Sequence, residues 1–201
     1  MRIITGKYKG RHFDIPRSFK ARPTTDFAKE NIFNVLTQYV DFEDADALDL
    51  FSGTGSITLE LLSRGCRQVV SVEQDRGHHR FITECLQKLG IATSTEARSK
   101  RQGARDMSDS ETVSCCLPIR GDVFRFLKSC HQPFDFIFAD PPYALRELPQ
   151  IPDLVLQGNG GKLLKEGGIF VFEHGSNHDF STHPRFLEHR SYGSVNFSIF
   201  R

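Results

Sequence analysis

A chain of 201 residues with 38% apolar and 25% charged side chains can bury one sizeable core, as ordinary globular proteins do, and it contains no apolar stretch long enough to span a membrane. The N-terminus "MRIITGKYKGRHF" lacks the apolar core of a signal peptide, and five scattered cysteines without a C-x-x-C argue against a disulfide framework or a zinc site, fitting reduced thiols in a cytoplasm. The net charge of +1 hides an asymmetry: residues 1–22 carry seven Lys/Arg against the single acid Asp14, a local +6 that leaves −5 on the rest. A basic leader on a mildly acidic body suggests contact with a polyanion.

In chain order, "RIITGKYKGRHFDIP" alternates and breaks at Gly6 and Gly10, which predicts a small β-hairpin. "RPTTD" follows, with Thr25 or Asp26 able to cap a helix through "FAKENIFNVLTQYV". The apolar stripe of that helix is Phe27, Ile32, Phe33, Val35, Leu36 and Val40. "ADALDLF" reads as the first core strand, "GSITLELLSRG" as a helix closed by Gly65, "QVVSVEQ" as the next strand and "RGHHRFITECLQKLG" as a helix ending at Gly90. Residues 92–114, including "TSTEARSKRQGARDMSDSETVS", have almost no large apolar side chains and predict a mobile polar loop insertion.

Order resumes with "LPIRGDVFRFLKSC", a short strand and a helix. "FDFIFADPPYAL" then drives an apolar strand into an acid, two prolines and a tyrosine. Pro141 and Pro142 have no N–H to donate and disfavour helical geometry before them, so the strand ends in a stiff turn presenting Asp140, two carbonyls and an aromatic ring. Residues 145–166 predict helix interrupted by Gly158, Gly160 and Gly161, "GGIFVFEH" another strand, and "RFLEHRSYGSVNFSIF" a closing antiparallel pair turned at Gly193. Strand–helix alternation predicts an α/β fold: a doubly wound, mostly parallel seven-stranded sheet with helices on both faces.

Four acids fall at predicted strand ends. Asp49 precedes the turn "FSGTGS", Glu73 ends the second strand, Asp122 the third and Asp140 the fourth. Open α/β sheets bind ligands on that edge. Gly53 and Gly55 permit a tight turn, but position 58 is threonine rather than the third glycine of a dinucleotide site, and no phosphate-loop lysine follows. An acid edge without a phosphate-binding lysine suits a nucleoside carrying an amino-acid cation. His174, His178 and His183 are read as lying in a loop setting, so no metal is expected, and Ser52 lacks the G-x-S-x-G setting of a hydrolase nucleophile.

This constellation resembles a Rossmann-like class I S-adenosylmethionine-dependent methyltransferase. The order "RIITGKYKGRHF", "RPTTD", "ENIFN", "LDLFSGTGS", "VE", "GDVF", "DPPY", "FEH" and "YGSVNFSIF" is similar, over nearly the whole chain, to the bacterial small-subunit rRNA guanine-N2 methyltransferase family (RsmD). The resemblance implies cofactor contacts from Asp49, Phe51, Gly53, Gly55, Glu73, Gln74, Asp122 and Val123, with Glu73 on the ribose and Asp122 and Val123 on the adenine side. It implies a catalytic turn of Asp140, Pro141, Pro142 and Tyr143 that methylates the exocyclic N2 amine of a guanine in 16S rRNA, in the context of the small ribosomal subunit. RNA contacts would come from Arg2, Lys7, Lys9, Arg11 and Arg22, dividing the chain into a leader (1–22) and a methyltransferase domain (23–201). A DNA adenine-N6 methyltransferase shares the "DPPY" chemistry but usually carries a large target-recognition domain. A non-catalytic RNA-binding protein that kept the fold is the third alternative.

Overall fold

The computed structural model describes residues 1–19, 25–93, 114–158 and 163–201. Its apolar runs form one mixed sheet: β1 (Asp46–Leu50), β2 (Gln68–Glu73), β3 (Ala92–Thr93), β4 (Cys115–Arg120), β5 (Phe134–Ala139), β6 (Leu164–His174), β7 (Phe186–Tyr192) and β8 (Val195–Phe200). The spatial order is β3-β4-β2-β1-β5-β6-β8-β7. The strands from β3 to β6 pair in parallel, while β8 runs antiparallel to both β6 and β7. Among the described residues the sheet therefore has eight strands where seven were expected. The additional one is two residues long, where the chain leaving the third helix pairs Ala92 with Cys115 and Thr93 with Cys116 at the sheet edge. The rest of the predicted insertion, 94–113, lies outside the described residues.

The helices are α1 (Asp26–Leu36), α2 (Ser56–Ser63), α3 (Arg76–Leu89), α4 (Val123–Ser129) and α5 (Ile151–Leu156), the last entered through a 3-10 turn at Leu148–Gln150. Strand periodicity sorts the core into two layers. On one face Ala47, Val69, Phe136, Phe138 and Val171 meet side chains of α1, α2 and α3, including Ile32, Phe33, Leu59 and Ile82. On the other, Leu48, Val70, Ile137, Phe170 and Phe172 meet Val123, Leu127, Ile151 and Val155 of α4 and α5. Full burial of each such side chain contributes roughly 1.5–3 kcal/mol, which explains why β1 is apolar on both sides except at its acids.

Several local expectations shift. Thr25, not Asp26, caps α1 by accepting the Ala28 N–H at 3.2 Å, and the helix ends at Leu36 rather than Val40. Phe27, counted in the apolar stripe, is 66% exposed, whereas Lys29 is fully buried. Residues Leu164–Glu166, expected to be helical, begin β6, and Gly160 and Gly161 lie outside the described residues. The Gly193 turn forms as expected, with φ 65° between β7 and β8.

The predicted leader hairpin is minimal: a single antiparallel bridge, Arg2 with His12, flanked by Ile3 N–H to Arg11 O (3.0 Å) and Phe13 N–H to Met1 O (2.9 Å). Its stability comes from docking. The Glu60 carboxylate of α2 accepts the Ile4 and Thr5 amides at 2.8 and 3.1 Å, and Ser63 accepts the Tyr8 amide at 2.9 Å. The Lys29 ammonium donates to Arg2 O at 2.6 Å and lies 3.8 Å from Glu60. Gly6 passes so close to α2 that an added Cβ would sit 1.7 Å from Ser63 O, so only glycine fits. Ile3 and Phe13 complete the attachment by joining the core around α1 and α2.

Candidate active site

The order of strands reverses direction at β1: the chain builds outward to β4 and β3 on one side, then returns to place β5, β6, β8 and β7 on the other. At such a switch point the connections leave opposite faces of the sheet and open a crevice at the carboxyl ends of the strands. A cleft of about 610 Å³ lies there, within the range of about 300–1,000 Å³ common to ligand sites.

One wall is the turn from β1 into α2. Phe51 has φ 60°, an uncommon conformation for an aromatic residue that over-determined packing must hold; its ring meets Phe124 edge-on at 6.3 Å. Gly53 (φ 52°) lines the cleft, with its N–H donating to Glu73 Oε2 at 2.8 Å. The other Glu73 oxygen accepts the Asp75 N–H at 2.7 Å, so this carboxylate clamps the glycine turn to the end of β2. Gly55 does not line the cleft. It caps α2 at φ 77°, and an added Cβ would meet Ile82 Cγ1 at 2.8 Å, so its role in this geometry is close packing of α2 against α3.

Asp49 is 1% exposed and accepts the Thr58 hydroxyl at 2.5 Å. Burial, with a smaller repulsion from Glu73, pushes its carboxyl up to about 7. A buried acid held so high is stabilised by a cation. Among the described residues, none of the polar groups that line this cleft is a lysine or arginine. Asp122, at the end of β4, caps α4 by accepting the Arg125 N–H at 2.9 Å and also lines the cleft with Gln74 and Val123.

The opposite wall is the turn after β5. The Asp140 N–H makes the last ladder-like bond to Leu50 O at 3.3 Å, and the turn closes through Leu145 N–H to Pro142 O at 2.9 Å. Asp140, Pro141, Pro142 and Tyr143 all line the cleft, with Tyr143 43% exposed. The Tyr143 hydroxyl donates to Glu173 Oε1 at 3.1 Å. Burial and the nearby Glu173 and Asp140 charges raise the phenol well above its ordinary value, so it stays protonated.

Of the residues expected to form one site, Asp49, Phe51, Gly53, Glu73, Gln74, Asp122, Val123 and Asp140–Tyr143 converge on this cleft. Glu173, Phe124, Ser194 and Val195 line it as well without having been singled out. A signal for Glu173 was present, since it is the acid inside the apolar strand "GGIFVFEH". The basic leader lies beside the cleft rather than in it. Lys7, Lys9 and Arg11 are exposed, Arg2 pairs with Asp26 at 3.4 Å, and Arg22 lies outside the described residues. His174 spends its two ring nitrogens on Gly175 O and Ser198 Oγ, both at 2.8 Å.

Comparison with known proteins places this geometry in context. The family described as "Conserved hypothetical protein 95" matches residues 1–201. The ribosomal RNA small subunit methyltransferase D of Escherichia coli K12 is 31% identical over 171 residues, covering 85% of this chain and 73% of the relative. The protein of the same name from Haemophilus influenzae is 32% identical over 161 residues, 79% of this chain and 72% of the relative. Among solved structures, a hypothetical protein of Thermus thermophilus superposes with a TM-score of 0.75 at 24% identity, over 100% of this chain and 99% of that one. A T. thermophilus 16S rRNA N2 G1207 methyltransferase (RsmC), solved with AdoMet and guanosine, has a TM-score of 0.60 at 17% identity, covering 91% of this chain and 44% of that one; the likeness is one of fold.

Proposed function

The chain belongs to the RsmD family of methyltransferases, and from that premise we propose that it transfers a methyl group from S-adenosylmethionine to the exocyclic N2 amine of a guanine in small-subunit ribosomal RNA. The observation that carries this reading is the facing of two walls across one cleft: buried Asp49 and clamped Glu73 on one side, the Asp140–Tyr143 turn on the other.

The residues present fit the cofactor. Asp49, which burial pushes up to about 7, would take the amino-acid end together with the Gly53 turn. Glu73 would accept ribose hydroxyls, and Asp122, Val123 and Phe124 would flank the base. When bound, S-adenosylmethionine supplies a methyl already activated on a sulfonium. The protein's own task is to present the nucleophile.

The guanine N2 lone pair is conjugated with the ring and is a poor nucleophile. Accepting its hydrogens on the Asp140 carboxylate and the Pro141 carbonyl localises that pair, and the proline turn holds both acceptors before the reaction begins. As a new N–C bond replaced the S–C bond, the amine would lose one proton, with Asp140 as the adjacent acceptor. The exposed Tyr143 ring offers a stacking face, worth roughly 1–3 kcal/mol per base and offsetting the few kcal/mol spent in unstacking it. The exposed cations Lys7, Lys9 and Arg11, on a leader fixed to the same α2 that follows the glycine turn, would engage the phosphate backbone.

The test is transfer of a labelled methyl from S-adenosylmethionine to small ribosomal subunits lacking the modification, followed by nucleoside analysis. Label in N2-methylguanosine is expected. Label confined to N6-methyladenosine, or appearing only with DNA, would overturn the substrate, and failure to bind the cofactor would revive the non-catalytic alternative.

A further inference from the structure

Glu173 is 4% exposed, stands at the carboxyl end of β6 and lines the cleft beside the catalytic turn. The β5–β6 register pairs Ala139 with Phe172, so the next positions along the two strands are Asp140 and Glu173. Neighbouring strands lie about 4.8 Å apart, which places these two residues at adjacent positions of one rim, and both line the cleft. Tyr143 lies near both: its hydroxyl bonds Glu173, and the Glu173 and Asp140 charges both act on it.

Two adjacent acids at a buried edge repel each other and cost desolvation. A pair of acceptor-only groups is complementary to a ligand edge that carries only donors. Among the nucleobases, guanine alone presents an N–H and an NH₂ side by side, at N1 and N2. Adenine and cytosine place a ring acceptor next to their amine, and uracil flanks its N3–H with two carbonyls. We infer that Glu173 is the specificity-determining residue that accepts the guanine N1–H while Asp140 engages the reacting N2 amine, so that the paired acids select guanine over other amine-bearing bases. The inference rests on the guanine-N2 reading above.

It is tested with small subunits reconstituted from rRNA that carries either guanine or 2-aminopurine at the methylated position. 2-Aminopurine keeps the N2 amine but has an unprotonated, acceptor N1. A site built around a substrate donor rejects the analogue lacking it strongly, so the wild-type protein is expected to favour guanine by about 100-fold or more in kcat/KM. In Glu173→Gln the side-chain amide can donate to the analogue's N1, and the preference is expected to fall to within about tenfold while S-adenosylmethionine affinity stays near wild type. Should that variant not fold, Glu173→Asp keeps the charge with a shorter reach and is expected to lose guanine turnover without gaining 2-aminopurine turnover. An unchanged guanine preference in Glu173→Gln overturns the inference. So does an equal narrowing in Tyr143→Phe, which would assign the effect to the tyrosine. Absence of guanine methylation by the wild-type protein is a separate outcome and overturns the underlying reading instead.

Discussion

The Glu60 carboxylate accepts the Ile4 N–H at 2.8 Å, a contact that joins residues 56 apart and fastens the basic leader to the helix leaving the glycine turn. Lys29 shares this buried arrangement, reaching Arg2 O, Ser56 Oγ at 3.0 Å and the Glu60 charge. Burial holds the Lys29 ammonium below its ordinary value, partly offset by Glu60. The leader's position relative to the cleft is thus set by two fully buried charges rather than by β-ladder bonds.

Removing Glu60 takes from the buried Lys29 ammonium its ion-pair carboxylate, whereas Glu60 itself is also paired with Arg64 at 3.0 Å. Glu60→Ala is expected to lower unfolding free energy by about 3–5 kcal/mol, and the double variant Lys29→Met/Glu60→Leu to recover part of that loss. Urea denaturation of the singles and the double checks this; full additivity would mean the pair is not coupled.

The leader's exposed cations should govern salt sensitivity. Replacing Lys7, Lys9 and Arg11 together by alanine removes three candidate phosphate contacts, and the slope of log affinity against log salt should flatten by about 2. Filter binding of small-subunit rRNA across a salt series measures the slope, and an unaltered value would take the leader out of the interface.

Asp140→Ala should cut turnover by about 100-fold or more, the scale for losing one preorganised electrostatic contact to a reacting group, while cofactor affinity changes only a few-fold. Single-turnover methyl transfer and calorimetry separate the two. Near-normal turnover would remove Asp140 from the chemistry.

Asp49 predicts a pH signature. Its carboxyl titrates at 3.8 in an ordinary setting and at about 7 in the folded protein, because burial and then Glu73 disfavour the charge. Folding therefore favours the protonated acid: this contribution is fully present below pH 3.8 and is lost as pH rises to about 7. The stability difference between Asp49→Asn and wild type should accordingly shift toward the variant over that window. Binding of a cationic cofactor group favours the carboxylate, so affinity should fall by about tenfold per pH unit below the raised value. Calorimetric titrations at pH 5, 6 and 8 read this directly, and a pH-independent affinity would contradict the assignment.

What the sequence determined by itself is what local physics decides. Apolar runs ended by prolines or glycines fixed β1, β2 and β5, and with them the strand-end acids Asp49, Glu73 and Asp140, because strand periodicity and missing N–H donors act within a few residues. Family resemblance supplied Phe51, Gln74 and Val123. Only the tertiary structure decided which side chains meet. Glu173 becomes a neighbour of Asp140 because β6 pairs beside β5, a choice of strand order that no window of sequence contains. Gly55 turns to Ile82 because α3 packs against α2 there. Phe27 and Lys29 show the same limit from within one helix: periodicity places an apolar stripe, but Phe27 lies outside the core, edge-on to Tyr192, while the leader and Glu60 give Lys29 the partners that let a charge be buried. Burial of a charge depends on partners supplied from elsewhere in the chain, and those partners exist only once the sheet has assembled.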